Sequence, residues 1–276
     1  MSFASETLVV RSGNARIAAE RAGTGQSVVF LHAAIADRRM WRHQLASLSS
    51  RFHVVAYDRR GFGETAAVDE AHSPVADLFA VLDALIEPHS ELVLVGCSNG
   101  ASIAIDAALK APRRVAGLIL ISPSVSGAPS PRSHEAVRRL LEAIELAEKA
   151  GETREVIRLK AALFLDGALA PEGRVGNPAR SLFFEMNGIS LASQAIGAVL
   201  PPPPAWNRIA GIGIPVRVLC GDLDIPHIQE RSRHLAASIP TAEFEAVPGA
   251  AHLPSLEQPD RTTERITRLL TQIFEH

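Results

Sequence analysis

A chain of 276 residues, 47% hydrophobic and 21% charged, has enough apolar material for one large core or a core domain carrying an insertion. Its formal net charge of −2 gives no electrostatic case for nucleic acid or an anionic membrane as partner. Two cysteines, Cys97 and Cys220, are too few for a disulfide framework, and no apolar run approaches the ~18 residues of a membrane span, so a cytoplasmic protein with free thiols is expected.

In chain order, Glu6 to Val10 and Ala15 to Glu20 read as two strands joined by a Ser12-Gly13-Asn14 turn. The opening MSFASETLVVRSG has neither the basic start nor the apolar run of a signal peptide. Ser27 to His32 (SVVFLH) is rich in β-branched residues and predicts a buried strand. Met40, Trp41, Leu45 and Leu48 recur at helical spacing over Arg38 to Ser49, and Phe52 to Tyr57 (FHVVAY) predicts the next strand. Pro74 opens a helix through about Glu87, since proline suits a first helical position. Glu91 to Cys97 predicts a strand, Ser98 to Lys110 a helix, and Val115 to Ser122 a further strand.

The β/α rhythm then breaks. Residues 123–205 begin with SPSVSGAPSP, end in the run Pro201-Pro202-Pro203-Pro204, and hold helical patterns only. Ala136, Val137, Leu140, Leu141, Ile144 and Ala147 mark one apolar stripe, and Val156, Ile157, Leu163 and Phe164 a second. Asn177-Pro178 predicts the start of a third helix through Phe183, Phe184 and Met186, with Asn177 as cap. Ile189 to Val199 predicts a fourth. The rhythm resumes with a strand over Pro215 to Gly221, a helix over Pro226 to Ser238, a strand over Ala242 to Val247 and a closing helix from Leu256 to Phe274. Alternating strands and helices imply a mostly parallel sheet covered on both faces. Residues 1–122 and 206–276 then form the core, and 123–205 a helical insertion over the carboxyl edge of the sheet, where such sheets bind ligands.

Ten histidines raise the question of a metal, but no CxxC, HxH or HExxH spacing occurs, and neither GxGxxG after a strand nor GxxxxGK[ST] is present. Neither a metal nor a cofactor is expected. Gly96-Cys97-Ser98-Asn99-Gly100 fits G-x-S-x-G and stands between a predicted strand and a predicted helix. Glycines are needed at both ends because a strand turning sharply into a helix brings those positions together. The turn lifts the serine hydroxyl above the sheet edge, at a helix N-terminus that favours developing negative charge. The alternative is a tight turn whose serine merely caps the helix. A nucleophilic serine needs a base and a group to orient that base. His252, between the last strand and last helix, suits the order Ser…Asp…His, whereas His72, His89, His134 and His276 read as surface-loop histidines. The acid falls at the next strand end, Cys220-Gly221-Asp222-Leu223-Asp224, and spacing alone leaves Asp222 and Asp224 open.

The stretches FLHAAIADRRMW, VVAYDRRGFGET, LVLVGCSNGA, VRVLCGDLDIP and VPGAAHLPSLEQP together resemble the lid-bearing α/β-hydrolase fold, in its enol-lactonase and carboxylesterase branch. The resemblance implies an eight-stranded, mostly parallel sheet with helices on both faces and a helical lid. It selects Asp224 as the acid and leaves Asp222 as a turn residue. Two backbone N–H groups are needed for the oxyanion. One belongs to Asn99, after the nucleophile; the other, by resemblance, to Ala34. Here the chain departs from its relatives, with Ala33 where they carry glycine. His32 then orients this loop, and Asp58, at a strand end, reads as structural, with a place facing the pocket as the alternative.

The implied chemistry is acyl transfer to water from a small, mostly apolar carboxylic ester or lactone, through an acyl-enzyme on Ser98. A carbon–carbon bond hydrolase with the same triad is the alternative enzyme, and a slow-turnover ligand-sensing protein the alternative class. Expected substrate contacts are Ile35, Phe183, Met186 and Trp206. No arginine or lysine is evidently placed to grip a substrate carboxylate. The expected partner is a small-molecule substrate, with a monomer or homodimer both compatible.

Overall fold

A computed structural model of the protein describes residues 5–88, 90–131 and 134–275. Its centre is an eight-stranded sheet of order β1-β2-β4-β3-β5-β6-β7-β8. The strands are β1 (Glu6–Ser12), β2 (Ala15–Ala22), β3 (Ser27–Leu31), β4 (His53–Tyr57), β5 (Leu92–Cys97), β6 (Gly117–Ile121), β7 (Val216–Gly221) and β8 (Ala242–Val247). The β1–β2 hairpin is antiparallel and joins β4 antiparallel; β4, β3 and β5 to β8 run parallel.

The central strands are apolar on both sides, as a doubly covered parallel sheet requires. Their period of two divides the core. Val29, Leu31, Leu92, Leu94, Leu118 and Leu120 face α2 (Pro74–Leu85), α3 (Asn99–Lys110) and α7 (Pro226–Ser238). Val28, Phe30, Val93, Val95, Ile119 and Ile121 face α1 (Arg42–Leu48) and α9 (Pro259–Phe274). A 3-10 turn at Arg38–Trp41 precedes α1, so the single helix expected over Arg38 to Ser49 is two pieces. The closing helix is also divided. The short α8 (Pro254–Glu257) stops at Gln258, which Pro259 holds out of helical geometry at φ −138° and ψ 63°.

Between β6 and β7 lie α4 (Glu135–Lys149), α5 (Thr153–Lys160), a π-helical stretch at Ala161–Gly167, and α6 (Ala179–Leu191). The predicted stripes form a third apolar cluster. Val137, Ile144, Val156, Leu159 and Leu163 close on Cys220, Ile225 and Ile228, seating the inserted helices on the end of β7 and the start of α7. Asn177 caps α6 through its side chain, accepting from Ser181 N at 3.2 Å, but the helix begins only after Pro178. The fourth helix expected over Ile189 to Val199 is absent. Gly197 sits at φ +78°, and residues 192–200 form an extended strap whose Ala198 and Leu200 exchange backbone hydrogen bonds with His72 at 3.0 and 2.7 Å. His72, expected at the surface, is therefore buried under this strap, while His134 is exposed. His89 and His276 lie outside the described residues. Among the described residues, no helix is long and apolar enough to cross a membrane.

Strand register aligns the ends that matter here. Leu31 pairs with Gly96, Cys97 with Ile121, Ile121 with Leu219, and Gly221 with Val247. The loops after β3, β5, β7 and β8 thus leave the same carboxyl edge.

Candidate active site

Ser98 stands at the junction of β5 and α3 with φ 54° and ψ −115°, a conformation a non-glycine residue adopts only when its surroundings enforce it. They do so through hydrogen bonds. Ser98 N donates to Ile121 O at 2.9 Å, and Ser98 O accepts from Ala101 N at 3.0 Å and from Ser124 Oγ at 3.0 Å. The flanking glycines are sterically obligatory. A Cβ on Gly96 would lie 2.6 Å from Ala101 Cα, and one on Gly100 would lie 2.3 Å from Leu31 O. The Ser98 side chain makes no capping bond to α3, so the helix-cap explanation of this serine does not hold. Ser98 is partly exposed, whereas neighbouring Cys97 is buried, donates to His252 O at 3.6 Å, and has its thiol pushed up well above the ordinary range by burial.

His252, in the loop after β8, is buried with Nδ1 lying 2.9 and 3.1 Å from the two Asp224 oxygens. A carboxylate only accepts, so Nδ1 carries a proton, and in the neutral ring this leaves the lone pair on Nε2. Asp224 Oδ1 also accepts from Ile225 N at 2.7 Å, and Cys220 Sγ lies 3.5 Å from Oδ2. Asp222 goes elsewhere: it is exposed, and its Oδ1 accepts from Gly249 N at 2.7 Å. Geometry therefore separates the two aspartates that spacing left open. Ser98 Oγ and His252 Nε2 are not hydrogen-bonded to each other among the described residues; contacts of this kind often tighten only around a substrate.

The loop after β3 carries Ala34 and Ile35 in a turn closed by Ala36 N donating to Ala33 O at 3.2 Å. Among the described non-glycine residues only Ser98 and Ser122 have positive φ, so Ala33 takes its place without the strain that replacing glycine can bring. His32 braces this loop. Arg59 N donates to its Nε2 at 3.0 Å, which puts the proton on Nδ1, and that N–H donates to Ala33 O at 2.8 Å. Burial first, and the nearby Arg59 charge second, hold its pKa well below the usual histidine value. The ring is neutral and committed to the backbone at both nitrogens. The Asn99 amide, at the first position of α3, has no acceptor within the helix.

Phe183 and Met186, expected among the substrate contacts, are closed off at 0% and 1% exposure within the core cluster of Met40 and Trp41. They are packing residues, because a side chain lining a water-accessible pocket retains accessible surface. Their helix instead holds the Ala34–Ile35 turn: Asn187 Nδ2 donates to Ile35 O at 2.8 Å, and Met186 Sδ accepts from Asp37 N at 3.4 Å. Ile35 is partly buried beside that turn. Trp206 stacks on His234 of α7 with centroids 4.4 Å apart, in the outer layer of the core. Asp58 is wholly buried and accepts from Arg38 N at 2.8 Å and Glu64 N at 2.9 Å, which ties the β4 turn to the β3 loop.

Glu257 carries no motif that marks it in the sequence, yet it braces the site. Its two oxygens accept from Leu253 N at 3.0 Å and Ala251 N at 2.7 Å, bracing the backbone on both sides of His252. Arg174, from the inserted segment, pairs with Glu257 and donates to Gly249 O at 2.9 Å. Phe164 lies 5.3 Å from the His252 ring between centroids, and its carbonyl accepts from His252 N at 3.2 Å. The insertion therefore touches the histidine loop directly.

A sequence model of the alpha/beta hydrolase family matches residues 28–265. The chain is 24% identical over 265 residues to the pimeloyl-(acyl-carrier protein) methyl ester esterase of Nitrosospira multiformis, covering 93% of this chain and 98% of that one. Among solved structures it is similar to a thermophilic esterase from Thermogutta terrifontis, solved with malate bound, at TM-score 0.72 and 26% identity over 98% of this chain and 99% of that one. The esterase RhEst1 from a Rhodococcus species superposes at TM-score 0.77 with 22% identity, over 98% of this chain and 99% of that one.

Proposed function

The chain belongs to the alpha/beta hydrolase family, and on that premise we propose that it is a serine hydrolase of small carboxylic esters or lactones. The observation that carries this reading is a strained serine at φ 54° on the same sheet edge as a histidine whose Nδ1 is held by Asp224. His252 Nε2 takes the Ser98 proton as Oγ attacks the carbonyl carbon, and the tetrahedral oxyanion forms. The Asn99 and Ala34 N–H groups stabilise that oxyanion, and Asp224 stabilises the imidazolium. His252 then gives its proton to the departing alkoxide, or to the ring oxygen of a lactone. A water, deprotonated by the same nitrogen, releases the acyl group from Ser98.

Relatives named as esterases support ester bonds as the target. Residues 123–205 act as a lid in this reading, since Phe164 and Arg174 connect them to the His252 loop. The test is hydrolysis of short p-nitrophenyl esters by Ser98→Ala. Loss of turnover in a folded variant is expected, and retention of the parental rate overturns the assignment.

A further inference from the structure

The triad leaves one nearby charge unused. Arg59, just after β4, lies with its guanidinium 4.5 Å above the Phe62 ring, and its Nη1 donates to Asn99 Oδ1. Its neighbours in sequence and space are matched: Arg38 pairs with Asp58 and Glu64, and Arg60 with Asp77 at 2.9 Å and Glu70 at 2.7 Å. Arg59 has no ion pair among the described residues, and its buried Nε has no hydrogen-bond partner. Among the described residues Nη2 has His32 Nδ1 within hydrogen-bond range, at 3.5 Å, but the proton on that nitrogen is already given to Ala33 O, so it is no acceptor. The Nε–Nη2 edge of the guanidinium is therefore without an acceptor, although Nε itself is buried. A carboxylate meets that edge through two parallel N–H···O bonds.

Arg59 also lines a cavity of about 160 Å³, together with Arg60, Phe62, Asn99, Ile196 and Val199, the last two from the strap after α6. At ~30 Å³ per water this is room for a carboxylate on a short carbon stem. The other carboxylate on its wall, Asp77, is held by Arg60 through two bonds of 2.9 and 3.0 Å. Asn99 joins the cavity to the chemistry, since its side chain touches Arg59 and its amide is a donor to the oxyanion.

We propose that Arg59 and this cavity are a subsite for a carboxylate, so that the ester or lactone cleaved at Ser98 carries a free acid group on a short chain. The proposal rests on the hydrolase reading above. It revises the expectation of a mostly apolar substrate.

The test compares kcat/KM for monomethyl glutarate and for methyl 5-methylhexanoate, which replaces the carboxylate by an isopropyl group of similar shape. The wild-type protein favours the acid by at least about tenfold, and Arg59→Met lowers that ratio at least about tenfold. Arg59→Lys, which keeps the charge without the fork, retains part of it. A wild-type preference for the neutral ester, or a ratio that Arg59→Met leaves unaltered, overturns the subsite. If neither ester is cleaved, the hydrolase reading fails separately, and the subsite is read by calorimetry of monomethyl glutarate binding to Ser98→Ala. Binding that disappears in Ser98→Ala/Arg59→Met supports the subsite; binding absent from the first protein, or equal in both, refutes it.

Discussion

Among single residues, what each side chain is bonded to decides what it can do. Asp224 holds Nδ1 of His252, while Asp222 only closes a turn on Gly249 N. Asn in place of Asp224 presents an amide that can stabilise the wrong imidazole tautomer and cannot balance an imidazolium. Asp224→Asn is expected to lower kcat by ~10²- to 10⁴-fold. Asp222→Asn keeps an oxygen for Gly249 N and stays within about threefold of the parent; equal losses in steady-state assays of the two variants contradict the choice. The elbow was legible in the sequence because two glycines and a serine at fixed spacing are what the turn's sterics demand. The acid was not legible from spacing, since both aspartates sit in one turn, and only resemblance chose between them. Arg59 was invisible as a site because a sequence shows a charge but not whether a carboxylate lies within reach of it.

At the scale of elements, the loop bearing His252 is held from three sides: by Asp224 after β7, by Glu257 of α8, and by the π-helical stretch through Phe164 O. The side chain of Glu257 is buried, which pushes its carboxyl up, while Arg174 and the two amides it serves favour the charged form. Gln at this position presents an N–H to one of those amides. We expect Glu257→Gln to lower kcat about tenfold or more with a smaller change in KM, because it displaces the base rather than the binding surface. A change confined to KM contradicts that role. The inserted helices α4 and α5 were readable as amphipathic stripes, because each buries one face on the β7–α7 corner. The strap over residues 192–200 was not, because Ile189 to Val199 mimics helical spacing while Gly197 in the left-handed region diverts the chain onto His72. The placement of Phe183 and Met186 was missed for a related reason. Helical spacing says that a residue faces inward, not whether it meets a pocket or a core.

At the scale of the whole molecule, the eight-stranded order and the alternating assignment of strand residues to two core layers follow from patterns that the sequence displays. That architecture has a pH consequence. His32, His53 and His227 all have pKa values lowered, chiefly by burial, below the value of about 6.5 that the unfolded chain has. The unfolded state therefore binds more protons as pH drops beneath that value, and the fold loses stability downward from about pH 6.5 until the folded-state values are passed. His32, fully buried, contributes at most ~1.4 kcal/mol per pH unit, and the half-exposed His53 and His227 contribute less because solvent screens them. Urea unfolding at pH 7 and pH 5 is expected to show a lower midpoint at pH 5, with a shallower acid-side slope in His32→Asn. An unaltered slope in that variant contradicts a neutral, buried His32.

Ser98 as nucleophile is tested by the rate of p-nitrophenyl butyrate hydrolysis by purified Ser98→Ala, measured alongside its thermal unfolding. A nucleophilic Ser98 predicts a loss of at least ~10³-fold with a thermal midpoint close to the parent's. Hydrolysis at the parental rate by that folded variant would contradict it.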